Sequence, residues 1–394
     1  MSHTVSMIAA GDLCTMAPLD ALIGTDAEAM IFSDIRPLID STDISLVNLE
    51  NPLIDGGTPI AKAGPNLKGA EAGVSLIRAA GFNCAILANN HIGDFGSEGV
   101  MRTLEVLKGA GVETVGAGAN LSEAAIPWIA ERNGMRVAVL ATAENEFGGA
   151  SDSTPGSNGY QASRIIGAIF AARQKTDYVV IVMHGGNELN PVPSPVVVDR
   201  YRSFIDAGAD SVIGMHPHCP QGFEVYRGKP IFYSCGNYLF GYPGQGSPLS
   251  SWYYGYLPRI VFDGPQTSLS VHPYRFSPEG DKITLLTGAE KDRFLNYLDR
   301  ISAVIADPQE LQKHYEGWCV LEGGKLIHGL LHEGKPIDPG TGPITDKPTL
   351  IMRNILTCEA HNHLASTYMR MVCDGRLETC RQYIQDVKDR QQIP

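Results

Sequence analysis

Tyr178-Val179-Val180-Ile181-Val182-Met183 runs directly into His184-Gly185-Gly186-Asn187-Glu188. A short apolar run rich in β-branched residues reads as a strand covered on both faces. The polar group that closes it then sits at the strand's carboxyl end. The pattern repeats outward in both directions. Val5–Ala10, Ile44–Leu49, Asn83–Ala88 and Val137–Ala141 read as strands upstream, and Asp210–Gly214 and Pro230–Ser234 downstream. Between them the spacing predicts helices at Ala27–Leu38, Ala70–Ala80, Ser97–Gly109, Ser163–Gln174 and Val196–Ala207. In Ser97–Gly109 the residues Val100, Met101, Leu104, Val106 and Leu107 share one face, and Gly109-Ala110-Gly111 ends the helix. Strand and helix in alternation imply a layered α/β fold.

Past residue 240 the style changes. Gly241–Ser251 is a Gly/Pro/Ser loop, Arg259–Phe262 and Leu269–Tyr274 read as paired strands, and Lys291–Ala306 and Pro308–Cys319 read as helices. Gly334–Lys347 is a second Gly/Pro-rich connector, and Thr349–Cys373 and Leu377–Gln391 read as two closing helices. The expected organisation is a core over residues 1–280 and a helical extension over 281–394, packed on the core.

The 394 residues are 43% hydrophobic and 19% charged, which suits a packed core. The net charge of −12 argues against a nucleic-acid partner, which needs a basic face. It leaves phosphate chemistry open, because bound cations supply local positive charge. No apolar run approaches the ~18–20 residues of a membrane span, so no membrane insertion is expected. Met1–Ser6 carries no Lys or Arg, so neither a secretory signal nor a membrane anchor is expected there. The eight Cys form no Cys-x-x-Cys pair and several sit in apolar runs, which points to reduced thiols and a cytoplasmic location.

The chemistry lies at the strand ends. Gly11-Asp12 closes the first strand, Asn48-Leu49-Glu50 the second and Asn89-Asn90-His91 the third. His184 through Glu188 closes the fifth, and Gly214-Met215-His216-Pro217-His218 the sixth. Carboxyl ends of strands in such folds share an edge. Two carboxylates, an amide and four imidazoles therefore converge, a set suited to one or two divalent ions such as Mn, Fe or Zn. Taken singly, a strand-end Asp is as readily a cap or turn former, and a lone His a satisfied structural residue. In His216-Pro217-His218, two residues one apart on an extended segment point to the same side.

These motifs, with Asp94-Phe95-Gly96 and Tyr233-Ser234-Cys235-Gly236-Asn237-Tyr238-Leu239-Phe240, resemble the CapA/PgsA poly-γ-glutamate capsule-synthesis family. Its members are similar to calcineurin-like metallophosphoesterases. The resemblance covers about residues 5–275. It implies a four-layer sandwich of two packed mixed sheets flanked by helices. It also implies that Asp12 and His218 bind a first metal, that Glu50 bridges, and that Asn90, His184 and His216 bind a second. His91 becomes the acid beside the reacting group, with Asp12 and Glu50 at the catalytic centre. The implied activity is a metal-dependent, hydrolase-type reaction on a peptide, glutamyl polymer or phosphate compound.

Two positions depart from the superfamily pattern. Asp12-Leu13-Cys14 places Cys where Asp-x-His is usual, and Glu50 stands where Asp is usual. Cys14 is then either a soft thiolate ligand or a small residue behind an incomplete first site. The expected metal is one or two ions, held weakly or absent. The rival readings are a metal-independent epimerase or isomerase using the same pocket, and a non-catalytic module in polymer synthesis.

Other candidates stand further out. Lys62 and Lys68 flank Gly64-Pro65-Asn66 and either meet an anionic substrate or lie on the surface. Glu188, Asn237 and His272 are candidates for substrate contact. Trp252-Tyr253-Tyr254 forms either a substrate wall or core. His361 and His363 lie in a predicted helix where i and i+2 face apart, and are expected to be structural. His91 is expected at a turn that tolerates truncation.

Overall fold

The computed structural model describes residues 4–241, 251–327 and 346–393. Most of Gly241–Ser251 and of Gly334–Lys347, both read as connectors, lies outside them. In chain order the first strands are β1 (Thr4–Cys14), β2 (Ile44–Leu49), β3 (Cys84–Ile86), β4 (Glu113–Val115), β5 (Ala117–Gly118), β6 (Trp128–Arg132), β7 (Met135–Ala143) and β8 (Gly156–Ser157). There follow β9 (Tyr178–His184), β10 (Ser211–Met215), β11 (Phe223–Tyr226), β12 (Lys229–Phe232), β13 (Asn237–Phe240), β14 (Tyr254–Asp263), β15 (Gln266–Phe276) and β16 (Ile283–Leu285).

An eight-stranded sheet runs β16-β15-β14-β1-β2-β3-β4, with β13 also paired to β1, and a six-stranded sheet runs β11-β12-β10-β9-β7-β6. In the first, β1 to β4 are parallel and β14 to β16 antiparallel. In the second, β7, β9, β10 and β12 are parallel, with antiparallel β6 and β11 at the edges. The sheets face each other across one core, and Tyr178 of β9 stacks on Phe262 of β14 with ring centroids 4.5 Å apart. Helices such as Gly96–Gly109, Ala162–Arg173 and Pro195–Asp206 cover the outer faces. The expected sandwich of two mixed sheets flanked by helices is therefore present. All β9 residues are buried, as the uninterrupted apolar run requires.

The parallel strands end together, and β1 is bent at that edge. Ala10 pairs with Val47 and Asp12 with Asn48, so Gly11 is an extra residue in the ladder. Such a bulge re-aims the next side chain. Only glycine fits there: a Cβ on Gly11 would lie 1.7 Å from the Gly236 carbonyl oxygen.

Three helices differ from expectation. Leu377–Gln391 divides into Leu377–Cys380, a tighter turn at Arg381–Tyr383 and Ile384–Arg390. Ala27–Leu38 is not one helix but two, Asp26–Ile31 and Arg36–Asp40, with Pro37 in the first turn of the second. A proline ring cannot continue a helix from the preceding turn but is tolerated at a start. Thr349–Cys373 divides into Lys347–Thr357 and Glu359–Cys373 at Cys358, whose ψ of 124° is extended. Tertiary contacts decide the break: Ala360 N–H donates to Glu144 Oε2 at 3.3 Å, and the Asn145 N–H donates to Glu359 at 2.9 Å. Strands β4, β6, β11 and β13 lack a clear apolar signature in the sequence. They lie at sheet edges or, for β13, against the end of β1.

The C-terminal helices enclose a small core of their own, with Tyr315, Trp318, Cys319, Leu364, Met371 and Val387. The helix Gly288–Ala306 packs Phe294, Tyr297, Leu298 and Ile301 into the main core, and polar contacts add to the docking. His314 Nε2–H donates to Asn190 Oδ1 at 2.8 Å, and Arg390 donates to His314 Nδ1 at 3.0 Å. Burial and the Arg390 charge push His314 down to about 3, so the ring is neutral.

Gly11→Ala should destabilise the protein by about 1–3 kcal/mol or more, as overpacking does. Urea unfolding checks this, and a loss below about 0.5 kcal/mol would show that the bulge has room.

Candidate active site

Asp12 is the hub of the edge. Its Oδ1 accepts from Asn48 Nδ2 at 2.8 Å, and its Oδ2 accepts the His216 backbone N–H at 3.1 Å. The first bond spans β1 and β2, and the second joins the two sheets. Asn89 Nδ2 in turn donates to Asn48 Oδ1 at 3.1 Å, which extends the amide chain to the end of β3. His184 Nε2 lies 3.1 Å from both Asn90 Oδ1 and His216 Nδ1. Asp12, Glu50, Asn90, His184, His216 and His218 are thus brought together.

The two histidines after β10 reach the site differently from the expected extended segment. His216 and His218 have φ of 97° and 55°, a left-handed backbone that non-glycine residues adopt only under constraint. The Asp12 bond to the His216 N–H supplies part of that constraint.

Glu50 is fully buried, yet neither of its carboxylate oxygens has a hydrogen-bond partner among the described residues. His218 Nε2 approaches Glu50 Oε1 to 3.4 Å and His184 Nε2 to 3.9 Å. Burial pushes the Glu50 carboxyl well above the ordinary range, with His218 opposing and Asp12 adding to the rise. Burial pulls His218 down, but Glu50 and Asp12 outweigh it and push the imidazole up to about 10. His184 is held well below its usual value by burial and by the neighbouring His216 and His218. Donor atoms of Glu50, His216 and His218 lie within 4.8 Å of one another, a set able to hold a cation. The fit is chemical as well as spatial, since a cation beside a buried carboxyl group without partners offsets the cost of ionising it.

His91 stands beside this set as one corner of a buried triad. Its Nδ1 is 2.7 Å from Asp94 Oδ2 and 3.1 Å from Lys62 Nζ, and Lys62 also pairs with Asp94. Burial lowers His91, and the Asp94 hydrogen bond opposes the change. Nδ1 is occupied, which leaves Nε2 as the nitrogen for chemistry.

Several expectations need correction. Lys62 does not lie on the surface: its side chain is buried against Asp94, and its ammonium sits 4.7 Å from the Phe147 ring centroid. Asn237 is engaged by the protein itself. Its Oδ1 accepts from His218 Nδ1 at 2.9 Å and its amide donates to the His218 and Trp252 carbonyls, so it positions His218. His272 lies on β15, two strands from β1, with Ser270 at 2.9 Å and the charges of Lys291 and Arg259 around it. It does not join the cluster. Glu188 is exposed, and its charge acts on Glu50 and His218, which puts it at the rim. Cys14 is buried at the end of β1, and burial followed by the Glu50 charge holds its thiol well above the usual value. Trp252 is core, edge-on to Phe240 with centroids 5.0 Å apart. His91 is buried and doubly bonded, unlike the tolerant turn residue expected from the sequence.

Glu144 and Glu146 were not singled out from the sequence, although they follow β7 as the other polar groups follow their strands. Glu146 Oε2 accepts from Asn90 Nδ2 at 2.6 Å. Glu144 pairs with Arg200 at 2.6 Å. A chamber of about 10 Å³, room for about one water, is lined by Asn90, Glu144, Glu146, His184, Gly185 and His216. Glu146 also borders an open cleft of about 770 Å³ that carries Tyr160, Arg164 and Arg353.

Residues 6–242 match the family described as bacterial capsule synthesis protein PGA_cap. That is more than half of the chain, and the chain belongs to this family. It is 31% identical over 248 residues to the capsule biosynthesis protein CapA of Bacillus anthracis, covering 61% of this chain and 60% of that protein. It is 32% identical over 214 residues to the PGA biosynthesis protein CapA of Bacillus subtilis (strain 168), covering 53% and 56%. The chain thus spans less than two thirds of either relative. Among solved structures, a 5'-nucleotidase precursor from Thermus thermophilus aligns with a TM-score of 0.40 at 13% identity, covering 72% of this chain and 53% of that one. No helix among the described residues is long and apolar enough to cross a membrane.

The triad has a stability signature. Asp94→Ala strands the buried Lys62 ammonium and should cost about 3–5 kcal/mol. His91→Ala leaves the Lys62–Asp94 pair intact and should cost about 1–3 kcal/mol. Urea unfolding of both variants checks the order, and equal losses below about 1 kcal/mol would contradict the network.

Proposed function

We propose that the chain is a hydrolase-type enzyme acting on an amide bond of a glutamyl polymer or peptide, with a divalent cation, Mn, Fe or Zn, held by Glu50, His216 and His218. The buried Glu50 carboxylate without hydrogen-bond partners among the described residues carries this reading, because a cation beside it would hold it ionised where burial otherwise favours the protonated form. When bound, the cation would supply Lewis-acid polarisation and lower the pKa of water.

The chain's own residues do the rest. Asp12 and Asn237 fix the His216 and His218 segment, so the imidazoles do not reorient during turnover. Asp94 holds His91 Nδ1, and Nε2 is free to accept a proton from the attacking water and pass it to the leaving nitrogen. The chamber's small volume excludes bulk water. The guanidinium groups of Arg164 and Arg353 in the cleft match the carboxylates of a glutamyl chain. The two CapA relatives are named for capsule and PGA biosynthesis.

The test is cleavage of poly-γ-glutamate of defined length by the purified chain with added Mn²⁺, read by mass spectrometry. Cleavage is expected, and His91→Ala should lower turnover by about 10²–10⁴. Equal turnover in the variant would remove His91 from the chemistry. Deuterium uptake at the glutamyl α-carbon without chain shortening would replace hydrolysis with proton transfer.

A further inference from the structure

The loop after β7 meets the first turn of the helix Glu359–Cys373 at a second group of donor atoms. We infer that Glu146, Cys358 and His361 form a zinc-type cation site that joins the core to the C-terminal helices, separate from the Glu50, His216 and His218 set. One oxygen, one sulfur and one nitrogen of these residues lie within 4.8 Å of one another.

Three features point to a ligand. His361 Nδ1 is shielded from solvent yet has no hydrogen-bond partner among the described residues, and it sits 3.7 Å from Glu146 Oε1, within ion-pair range but beyond hydrogen-bond distance. The helix break at Cys358 turns the buried thiol toward the Glu144–Glu146 loop. Glu146 is held from both sides, by Asn90 Nδ2 at 2.6 Å and Asn354 Nδ2 at 3.1 Å, so its carboxylate is already oriented. Cys358 and His361 lie outside residues 6–242, the stretch that defines the family.

Thiolate, imidazole and carboxylate together select zinc, and cobalt as its spectroscopic substitute, over magnesium or calcium. Metal–ligand bonds of ~2.0–2.3 Å require the donors to draw in by about 1 Å. His361, whose side chain is one-quarter exposed, has the freedom to move. Burial, then Glu144 and Glu146, hold the Cys358 thiol well above its usual value, so binding expels its proton: thiol plus M²⁺ gives the metal thiolate plus H⁺. Three protein ligands leave a fourth position for water or a substrate group. Through Glu146 and Asn90 the site abuts the histidine pocket, and occupancy would tie the helix to it.

Cobalt titration of the full chain tests this, read by thiolate-to-cobalt charge-transfer absorption and independent of any hydrolytic activity. The expected result is a band that saturates at one equivalent, disappears in Cys358→Ser and persists in Cys14→Ser. His361→Ala should raise the Kd about tenfold or more. Zinc should raise the thermal midpoint of the unmodified chain and not that of His361→Ala. No band in the unmodified chain, or a band that survives Cys358→Ser, overturns the proposal. Should Cys358→Ser fail to fold, an unchanged Kd in His361→Ala overturns it.

Discussion

A carboxylate with no hydrogen-bond partner, enclosed where two sheets meet, governs the arrangement of this protein. Burying an ion costs several kcal/mol even after relaxation, and no described residue donates a hydrogen bond to Glu50. The nearest compensation is His218, pushed up to about 10 by Glu50 and Asp12 against the pull of burial. Asp12, equally buried, has an N–H partner on each oxygen. The two acids therefore have different roles. Asp12 ties the two sheets together, and Glu50 is left for positive charge.

The architecture exists to deliver these side chains to one edge. Parallel β1, β2 and β3 end beside parallel β7, β9 and β10. The Gly11 bulge re-aims Asp12, and the Gly236 carbonyl packs so close that no Cβ fits. The left-handed backbone at His216 and His218 is conformational strain borne at the site, held by bonds from Asp12 and Asn237. The C-terminal helices close over Glu144 and Glu146 from the other side.

Much of this was legible because strand ends are written locally. An apolar β-branched run followed by Asp, Asn or His marks both the element and the edge, and Asp12, Glu50, Asn90, His184, His216 and His218 were all reached that way. What escaped depends on contacts between distant segments. Nothing near Lys62 says that its ammonium will be buried against Asp94, and nothing near Asn237 says that it will bond His218. His272 shares the strand-like pattern of the others, but β15 lies two places from β1. Glu144 and Glu146 obey the same strand-end rule, following β7. The break at Cys358 is tertiary in origin, so periodicity across Thr349–Cys373 could not locate it.

The central claim is that Glu50 is kept for a cation. Mn²⁺ favours oxygen and nitrogen over thiolate donors, so it reads the histidine–carboxylate pocket in preference to the cysteine-containing cluster. Free Mn²⁺ counted by electron paramagnetic resonance during titration of chelator-stripped protein measures the claim most directly. The account predicts saturable binding in the unmodified chain and its loss in Glu50→Gln. Identical isotherms for the two proteins, or no binding to either, would contradict it.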